Sequence, residues 1–384
     1  MADVEYCLVV AEVAVNGKVL EWARDLRGLS LEAAADLLGV PIADLKAYES
    51  GRKRPLVGFL RLMAQRYRIN FTSLLMPEPL PSERRPTDHR TRRGERPLTM
   101  DTLLAIEEVE EALEAFEEIA AEEARIVPSL NIGQAKLSEN PVTVAERERR
   151  KFSISLDEQY GWRNLAEARR SWRQRIEDRG VFTYMIAMPP DELSGFSLMR
   201  NGLAAICVND REPTEGAKIF TFLHEYCHLL LRKTGISDEN PRNRIERFCN
   251  QFAASVLIPA EGLRHQIGNI TTPHEFTDAD VRRLANAFRV SHAAVAMRLE
   301  EAGLAPQGFY RRRTAPWEMP KPSEPKTYSD SQPSAIILRL KRLGRLHAAT
   351  VLRANKRKVI NSFDASELIG LQPASFQRLE ARIR

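Results

Sequence analysis

The chain has 384 residues, of which 43% are hydrophobic and 28% are charged, and its formal net charge is +5. This length has room for two or three domains with substantial cores, and no apolar run in the ordinary globular composition is long enough to span a membrane. Residues 1–15 lack the basic and apolar regions of a signal peptide, so we expect a cytoplasmic protein without a membrane partner. Four cysteines, Cys7, Cys207, Cys227 and Cys249, show neither disulfide nor zinc-finger spacing, which agrees with a reducing compartment.

Residues 16–76 are predicted to fold as a bundle of short helices. Ser30 is a suitable N-cap for the second helix, and the turn at Gly39–Pro41 leads into a third helix. The third helix is predicted over residues 42–49 and the fourth over residues 56–67. A helix, a short turn with glycine and another helix is the layout of helix-turn-helix domains.

The segment LEWARDLRGLSLEAAADLLGVPIADLKAYESGRKRP, with its E-x-G-x-x-x-P ending, resembles the XRE (Cro/cI-like) helix-turn-helix family. The resemblance implies that the third helix docks in the major groove of DNA. The start of that helix departs from the family because it lacks the Arg, Lys, Asn or Gln side chains that read bases. The residues in those places are Pro41, Ile42, Ala43 and Asp44.

Basic residues near the end of the third helix could still hold DNA phosphates. These candidate DNA-binding residues are Lys46, Arg52, Lys53 and Arg54. The alternative is that this domain is a protein-docking or dimerising module. Double-stranded DNA and a second copy of the chain, as a homodimer, are therefore both candidate partners.

Residues 77–100 are predicted to be a linker, because proline spacing argues against regular structure. Its arginines could make it a phosphate-contacting arm, and the alternative is a solvated hinge. In residues 101–126 the charge changes sign. Apolar residues three and four apart alternate there with glutamates, which predicts a long amphipathic helix with a solvated acidic face.

The stretch from residue 140 to residue 210 is predicted to hold a helix and a small sheet. The helix covers residues 165–176, and a β-rich run covers residues 181–188. A second strand or hairpin is predicted from Gly195-Phe196 together with residues 204–209.

His224-Glu225-Tyr226-Cys227-His228 is an H-E-x-x-H pattern inside an apolar helical stretch. Residues four apart lie on the same face of a helix. Both imidazoles can therefore reach one tetrahedral Zn²⁺, while Glu225 flanks the open side as a proton acceptor. The alternative is a chance match in which both histidines are simply satisfied within a core.

A second amphipathic helix follows and ends before Pro259. Glu246 lies beside the apolar stripe of this helix, and Asn250 lies one turn further on. A carboxylate from a second helix is the third ligand of a catalytic zinc site with two histidines and one glutamate. Glu246 is therefore the candidate third ligand, with Asn250 as a supporting residue behind the ligands.

These two motifs resemble the ImmA/IrrE metallopeptidases, whose pattern is HExxH followed by E-x-x-A-N-x-F-A-x-x-L-L-x-P. The residues that carry over are His224, His228 and Glu246 as zinc ligands and Glu225 as general base. Asn250 falls on the framework of the same motif, whereas Cys227 and Cys249 stand where the family usually has small residues. Cys227 could act as a redox switch next to a ligand, and the alternative is a buried, inert thiol.

The resemblance implies a zincin-like peptidase domain over residues 101–265. Zinc peptidases commonly lay an extended substrate beside an edge strand, for which residues 204–209 are one candidate and a core strand is the alternative. Residues 275–310 are predicted to form a helix-turn-helix-like subdomain that packs on the active site, and residues 311–334 a second linker. Residues 335–384 are predicted to be a basic helical tail that touches nucleic acid or an acidic partner, or else a solvated helical cap.

The predicted fold is α+β and mostly α, with an N-terminal helix-turn-helix bundle, a zincin-like peptidase domain with a small sheet, and a helical C-terminal region. The leading hypothesis is a gluzincin-type zinc metalloendopeptidase that regulates transcription. The resemblance implies a narrow protein substrate or partner, such as a repressor, antitoxin or toxin. The alternative is a non-catalytic transcriptional regulator or antitoxin that binds DNA and a toxin, with a structural or vestigial zinc site.

Overall fold

The structure is a computed structural model that describes residues 12–79, 98–232, 241–268, 273–314 and 334–383. Cys7 and most of the two predicted linkers lie outside the described residues. The described chain divides into two compact units, with the boundary between Glu107 and Glu108. The fold is α+β and mostly α, as the sequence predicts.

The described part of the first unit is a bundle of short helices. They are α1 (Gly17–Leu26), α2 (Leu31–Leu38), α3 (Ile42–Glu49) and α4 (Val57–Tyr67), followed by a 3-10 turn (Phe71–Leu75) and the first residues of α5 (Met100–Glu122). The helices predicted for this region are confirmed, with the fourth starting one residue later than predicted. Their apolar faces meet in one core that includes Leu20, Leu38, Leu45, Leu60 and Met63.

Local chemistry sets the bounds of these helices. The Ser30 hydroxyl accepts a hydrogen bond from the Ala33 N–H at 3.2 Å, which caps α2. Gly39 ends α2 in the left-handed conformation, with φ of 66°. Arg24 on α1 forms an ion pair with Glu49 at the end of α3, at 2.8 Å, and donates to the carbonyl oxygen of Leu29 before α2, at 2.9 Å, so both ends of the helix-turn-helix segment are fixed to α1.

The second unit contains the remaining elements. They are the rest of α5, α6 (Pro141–Phe152), α7 (Leu156–Gly161), α8 (Leu165–Glu177), β1 (Val181–Ile186), β2 (Gly195–Arg200), β3 (Leu203–Asn209), α9 (Glu215–Leu231), α10 (Pro241–Leu257), α11 (Ala260–Ile267), α12 (Asp278–Phe288), α13 (His292–Glu301), α14 (Phe309–Thr314), α15 (Ala335–Lys356), α16 (Ser362–Ile369) and α17 (Phe376–Ile383). The helices of the helix-turn-helix-like subdomain predicted over residues 275–310 are present as α12 and α13. Thr277 and Asp280 form a reciprocal capping box at the start of α12.

The sheet has the strand order β1–β3–β2, with β3 parallel to β1 and antiparallel to β2. All residues of β1 and β3 are buried. Of the two interpretations of residues 204–209, the core strand is confirmed and the edge strand is wrong, because β3 is hydrogen-bonded on both sides. β2 is an edge strand of this sheet, and it packs against α9.

The helix α15 packs against β1 and buries Leu343, His347 and Val351. The description of residues 335–384 as a solvated cap is therefore wrong for α15. Some of its cations already have acidic partners within the second unit: Lys341 pairs with Asp210 at 2.7 Å, and Arg342 pairs with Glu108.

A buried pair on α8 fixes α15 where that helix changes direction. Gly344 has the non-helical angles φ 78° and ψ 166° and divides α15 in two. Arg173 donates to the carbonyl oxygen of Lys341 at 2.5 Å, before the break. Glu177 accepts from the backbone N–H of Arg345 at 3.2 Å, after the break. The ion pair of Arg173 and Glu177 thus satisfies the backbone groups that the break leaves without helical partners.

Among the described residues, no helix is long and apolar enough to cross a membrane.

Candidate metal centre and nucleic-acid interface

The two motif histidines lie on α9, which is almost entirely buried. The Thr214 side chain caps this helix by accepting from the Ala217 N–H at 3.0 Å. Apolar residues of α9 pack against α8, α10 and the sheet, which leaves His224 and His228 on one face. The exposed fraction of His228 is only 6% and that of Glu225 is 7%. Burying an imidazole or a carboxylate costs free energy unless the group forms hydrogen bonds, ion pairs or metal bonds.

The helix α10 packs beside α9 and brings Glu246 to the same place. A Glu246 carboxylate oxygen lies 3.2 Å from Nε2 of His224, and the other lies 3.7 Å from Nε2 of His228. The two Nε2 atoms are 3.0 Å apart. Candidate ligand atoms of three residues, from two helices, therefore converge on one small volume.

This convergence fits a zinc ion. Metal–ligand bonds of 2.0–2.2 Å in a tetrahedron place the ligand atoms roughly 3.3–3.6 Å apart, and the three measured separations are spread around that value. Two imidazoles and one carboxylate are the donor set of catalytic zinc sites with one open position. A ligand atom of Glu225 also lies within 4.8 Å of those of His224 and His228.

The outer nitrogen of each histidine ring has a partner on α10. Nδ1 of His224 lies 2.8 Å from Oδ1 of Asn250, and Nδ1 of His228 lies 3.4 Å from Sγ of Cys249. An Nδ1–H that donates to these acceptors leaves the lone pair on Nε2, where the two rings face each other and Glu246. Partners of this kind fix the tautomer and the orientation of metal-binding histidines.

Glu225 is held by the edge strand β2. The Ser197 hydroxyl donates to Oε2 of Glu225 at 2.8 Å. The strand can approach α9 this closely because Gly195 has no side chain. A Cβ at Gly195 would lie 2.7 Å from a side-chain carbon of Thr221 and 3.5 Å from the Glu225 side chain.

Sequence reasoning did not identify Ser197, nor the contact between Cys249 and His228. Ser197 carries the weak signal of a polar residue in a strand next to the motif helix. Cys249 carries the signal of a departure from the family pattern three residues after Glu246. Cys227 is fully buried, which agrees with an inert thiol rather than a redox switch.

The candidate DNA-binding residues lie at the end of α3 and in the loop that follows. All four, Lys46, Arg52, Lys53 and Arg54, are exposed. Lys53 pairs with Asp44 at 2.9 Å, and this hydrogen bond raises the pKa of the Lys53 ammonium. The negative charge of Asp44 is thus compensated within the protein. At the start of α3, the side chain of Ile42 is exposed to 45%, so an apolar residue stands where base-reading side chains are expected.

Two family models match the chain, and their positions agree with this geometry. Residues 20–74 match a helix-turn-helix family, and residues 176–300 match the IrrE N-terminal-like domain, a peptidase family. The second match includes β2, α9 and α10. The two matches have the order that the two sequence resemblances predict, with a helix-turn-helix segment before an IrrE N-terminal-like segment. The search of curated proteins gave no match.

Proposed function

We propose that this protein is a zinc-dependent, gluzincin-type endopeptidase that works as a cytoplasmic regulator of transcription. Its substrate would be a protein of the repressor or antitoxin type, and its helix-turn-helix domain would bring it to DNA or to that partner. The observation that carries the proposal is the convergence of His224, His228 and Glu246 beside the carboxylate of Glu225.

In the proposed peptide hydrolysis, the metal and the side chains of the protein have separate roles. When bound by His224, His228 and Glu246, zinc supplies Lewis-acid chemistry that makes a carbonyl more electrophilic and water more acidic. Glu225 accepts the proton of the attacking water and delivers it to the amine that leaves. Ser197 holds Oε2 of Glu225 by its hydrogen bond, which orients the carboxylate for proton transfer.

The edge strand β2 is the proposed place for the substrate backbone. A peptide that adds to the sheet edge forms main-chain hydrogen bonds along its length, so its position is fixed without demanding a particular sequence. Because Ser197 lies on β2 and contacts Glu225, a peptide on this edge would run close to the proton acceptor. This assignment replaces β3, whose two edges are already paired.

The test compares the protein ends generated in cells that express the wild type with those in cells that express Glu225→Gln. We expect new N-termini on a small set of proteins in the wild type and none in Glu225→Gln, since that variant keeps the ligands but lacks a proton acceptor. His224→Ala serves as a second inactive control. Identical sets of N-termini in the wild type and in Glu225→Gln would contradict a peptidase.

The non-catalytic alternative has support in the first unit. Its exposed basic residues suit phosphates, whereas the apolar start of α3 suits a protein surface. For DNA, we propose phosphate contacts by Lys46, Arg52 and Arg54, with Lys53 held by Asp44. Binding of this kind is independent of sequence and weakens steeply with salt. A regulator of the alternative type would keep DNA and partner binding unchanged in Glu225→Gln and generate no new N-termini.

A further inference from the structure

A second concave site lies in the second unit, between α8, α15 and α17. It encloses about 710 Å³, within the roughly 300–1,000 Å³ of sites for small molecules. Seven of its lining residues are basic and two are acidic. Its walls are helices of the folded unit, so the backbone positions of these charged residues are fixed around the cavity.

Four of the basic residues are already neutralised by acidic neighbours. Arg173 pairs with Glu177 at 3.4 Å and Arg175 with Glu158 at 3.1 Å, and these two glutamates are the acidic residues of the lining. The other two pairs are Lys341 with Asp210 and Arg169 with Glu215. The charges of these four cations are thus compensated within the protein.

Three arginines remain, one from each wall. Arg170 on α8, Arg345 on α15 and Arg382 on α17 are exposed, and none forms an ion pair with a described residue. Arg345 donates to the carbonyl oxygen of Ile383, which holds its guanidinium toward α17. Three like charges around one cavity repel each other, and a concave wall of low dielectric concentrates their field.

We propose that this cavity binds a small molecule that carries an oligophosphate group. Guanidinium groups form paired hydrogen bonds with phosphate oxygens, and an oligophosphate places several negative charges within one cavity of this size. An extended acidic peptide suits the cavity less well, because successive carboxylates on one face lie about 6.5–7 Å apart.

The apolar part of the cavity wall distinguishes a nucleotide from a free inorganic oligophosphate as the ligand. Ile337, whose side chain is exposed to 40%, and Leu340 line the cavity beside the arginines. A nucleotide would contact this apolar surface with its base or sugar, whereas a free inorganic oligophosphate would contact only the arginines. The nucleotide and the inorganic oligophosphate present the same phosphate groups to the arginines, and the nucleotide would bind more tightly because of its apolar contact.

The test is calorimetric titration of the full-length protein with inorganic tripolyphosphate, adenosine triphosphate and hexaglutamate. The groove variant carries Arg170→Gln and Arg382→Gln, which remove two charges without breaking an ion pair to a described residue. The matched control carries Arg125→Gln and Arg150→Gln, because these exposed arginines of the same unit lie outside the cavity lining and form no ion pair with a described residue.

We expect saturable binding of tripolyphosphate that weakens about tenfold or more in the groove variant and stays unchanged in the control variant. Tighter binding of adenosine triphosphate that is lost in Ile337→Ser would identify a nucleotide as the ligand, and equal affinities would identify the phosphate group alone. Absence of binding, or equal binding by the groove variant and the wild type, would overturn the proposal. Hexaglutamate binding as tight as that of tripolyphosphate would also overturn it, in favour of an acidic peptide.

Discussion

Replacing Asn250 by alanine tests how α10 prepares the histidines for a metal. Oδ1 of Asn250 is 2.8 Å from Nδ1 of His224, whose side chain is only 14% exposed, so little water can replace the lost acceptor. A hydrogen bond of this kind contributes about 1–2 kcal/mol, and partners behind metal ligands typically change metal affinity by about 10–100-fold. We therefore expect Asn250→Ala to weaken zinc binding by about tenfold or more.

The assay is competition for zinc against a fluorescent chelator at neutral pH, with circular dichroism to verify that the fold is kept. Asn250→Asp is the matched control, since it retains an acceptor oxygen and should bind zinc at least as tightly as the wild type. Cys249→Ala should have a smaller effect, because the sulfur is a weak acceptor and lies 3.4 Å from His228. Zinc affinity of Asn250→Ala equal to that of the wild type would refute this role of Asn250.

Three further predictions address other parts of the second unit. Gly344→Ala should lower the free energy of unfolding by about 3 kcal/mol or more, because the backbone angles of Gly344 are nearly exclusive to glycine and a Cβ there would lie 2.7 Å from the Thr183 carbonyl oxygen. The control Gly303→Ala, at a residue with φ of 68° and open space around it, should lower that free energy by only about 1–2 kcal/mol in urea unfolding. Equal losses of stability in the two variants would contradict the packing argument. Ser197→Ala should slow the appearance of new N-termini about tenfold while zinc content stays unchanged, and an unchanged rate would remove Ser197 from the mechanism. Burial lowers the pKa of His347 from 6.5 to about 4, so the unfolded chain takes up a proton at a higher pH than the folded chain does. The free energy of unfolding should therefore fall by about 3 kcal/mol as the pH drops from 6.5 to 4. His347→Gln should reduce this pH dependence in urea unfolding, and the same pH dependence in both proteins would contradict this role of His347.

Several helices were predictable because the sequence signals that start them are local. Ser30 and Thr277 cap helices that begin directly after them, and the apolar periodicity that follows each cap identifies the buried face. The pairing of His224 with His228 was predictable for the same reason, since their spacing alone places them on one face of α9.

The third candidate ligand needed more than local spacing. Glu246 is one of many glutamates in the chain, and its place beside the apolar stripe of a second helix, together with the family pattern, distinguishes it from a solvated charge. In the structure, the packing of α10 against α9 brings its carboxylate to the histidines.

The position of β3 in the sheet could not be read from its own residues. A buried apolar strand has the same pattern whether its partners lie on one side or on both, and β1 and β3 are both entirely buried. The contact of Ser197 with Glu225 depends on the same unpredicted pairing, because it requires β2 to lie at the edge next to α9.

The basic composition of residues 335–384 predicted an exposed tail, whereas α15 within this segment is partly buried. The cations of α15 suggested an exposed tail, whereas Leu343, His347 and Val351 recur every four residues and mark a buried face. The acidic partners of Lys341 and Arg342 lie more than 100 residues away along the chain, so no local pattern predicts them.

The most direct test of the metal-dependent peptidase is the zinc content of the purified protein, determined by elemental analysis beside His224→Ala and Glu246→Ala. We predict about one zinc per chain in the wild type and loss of that zinc in both variants, because each removes one of three converging ligands. A wild type that holds no zinc even after reconstitution, or variants that retain it fully, would contradict the proposed centre.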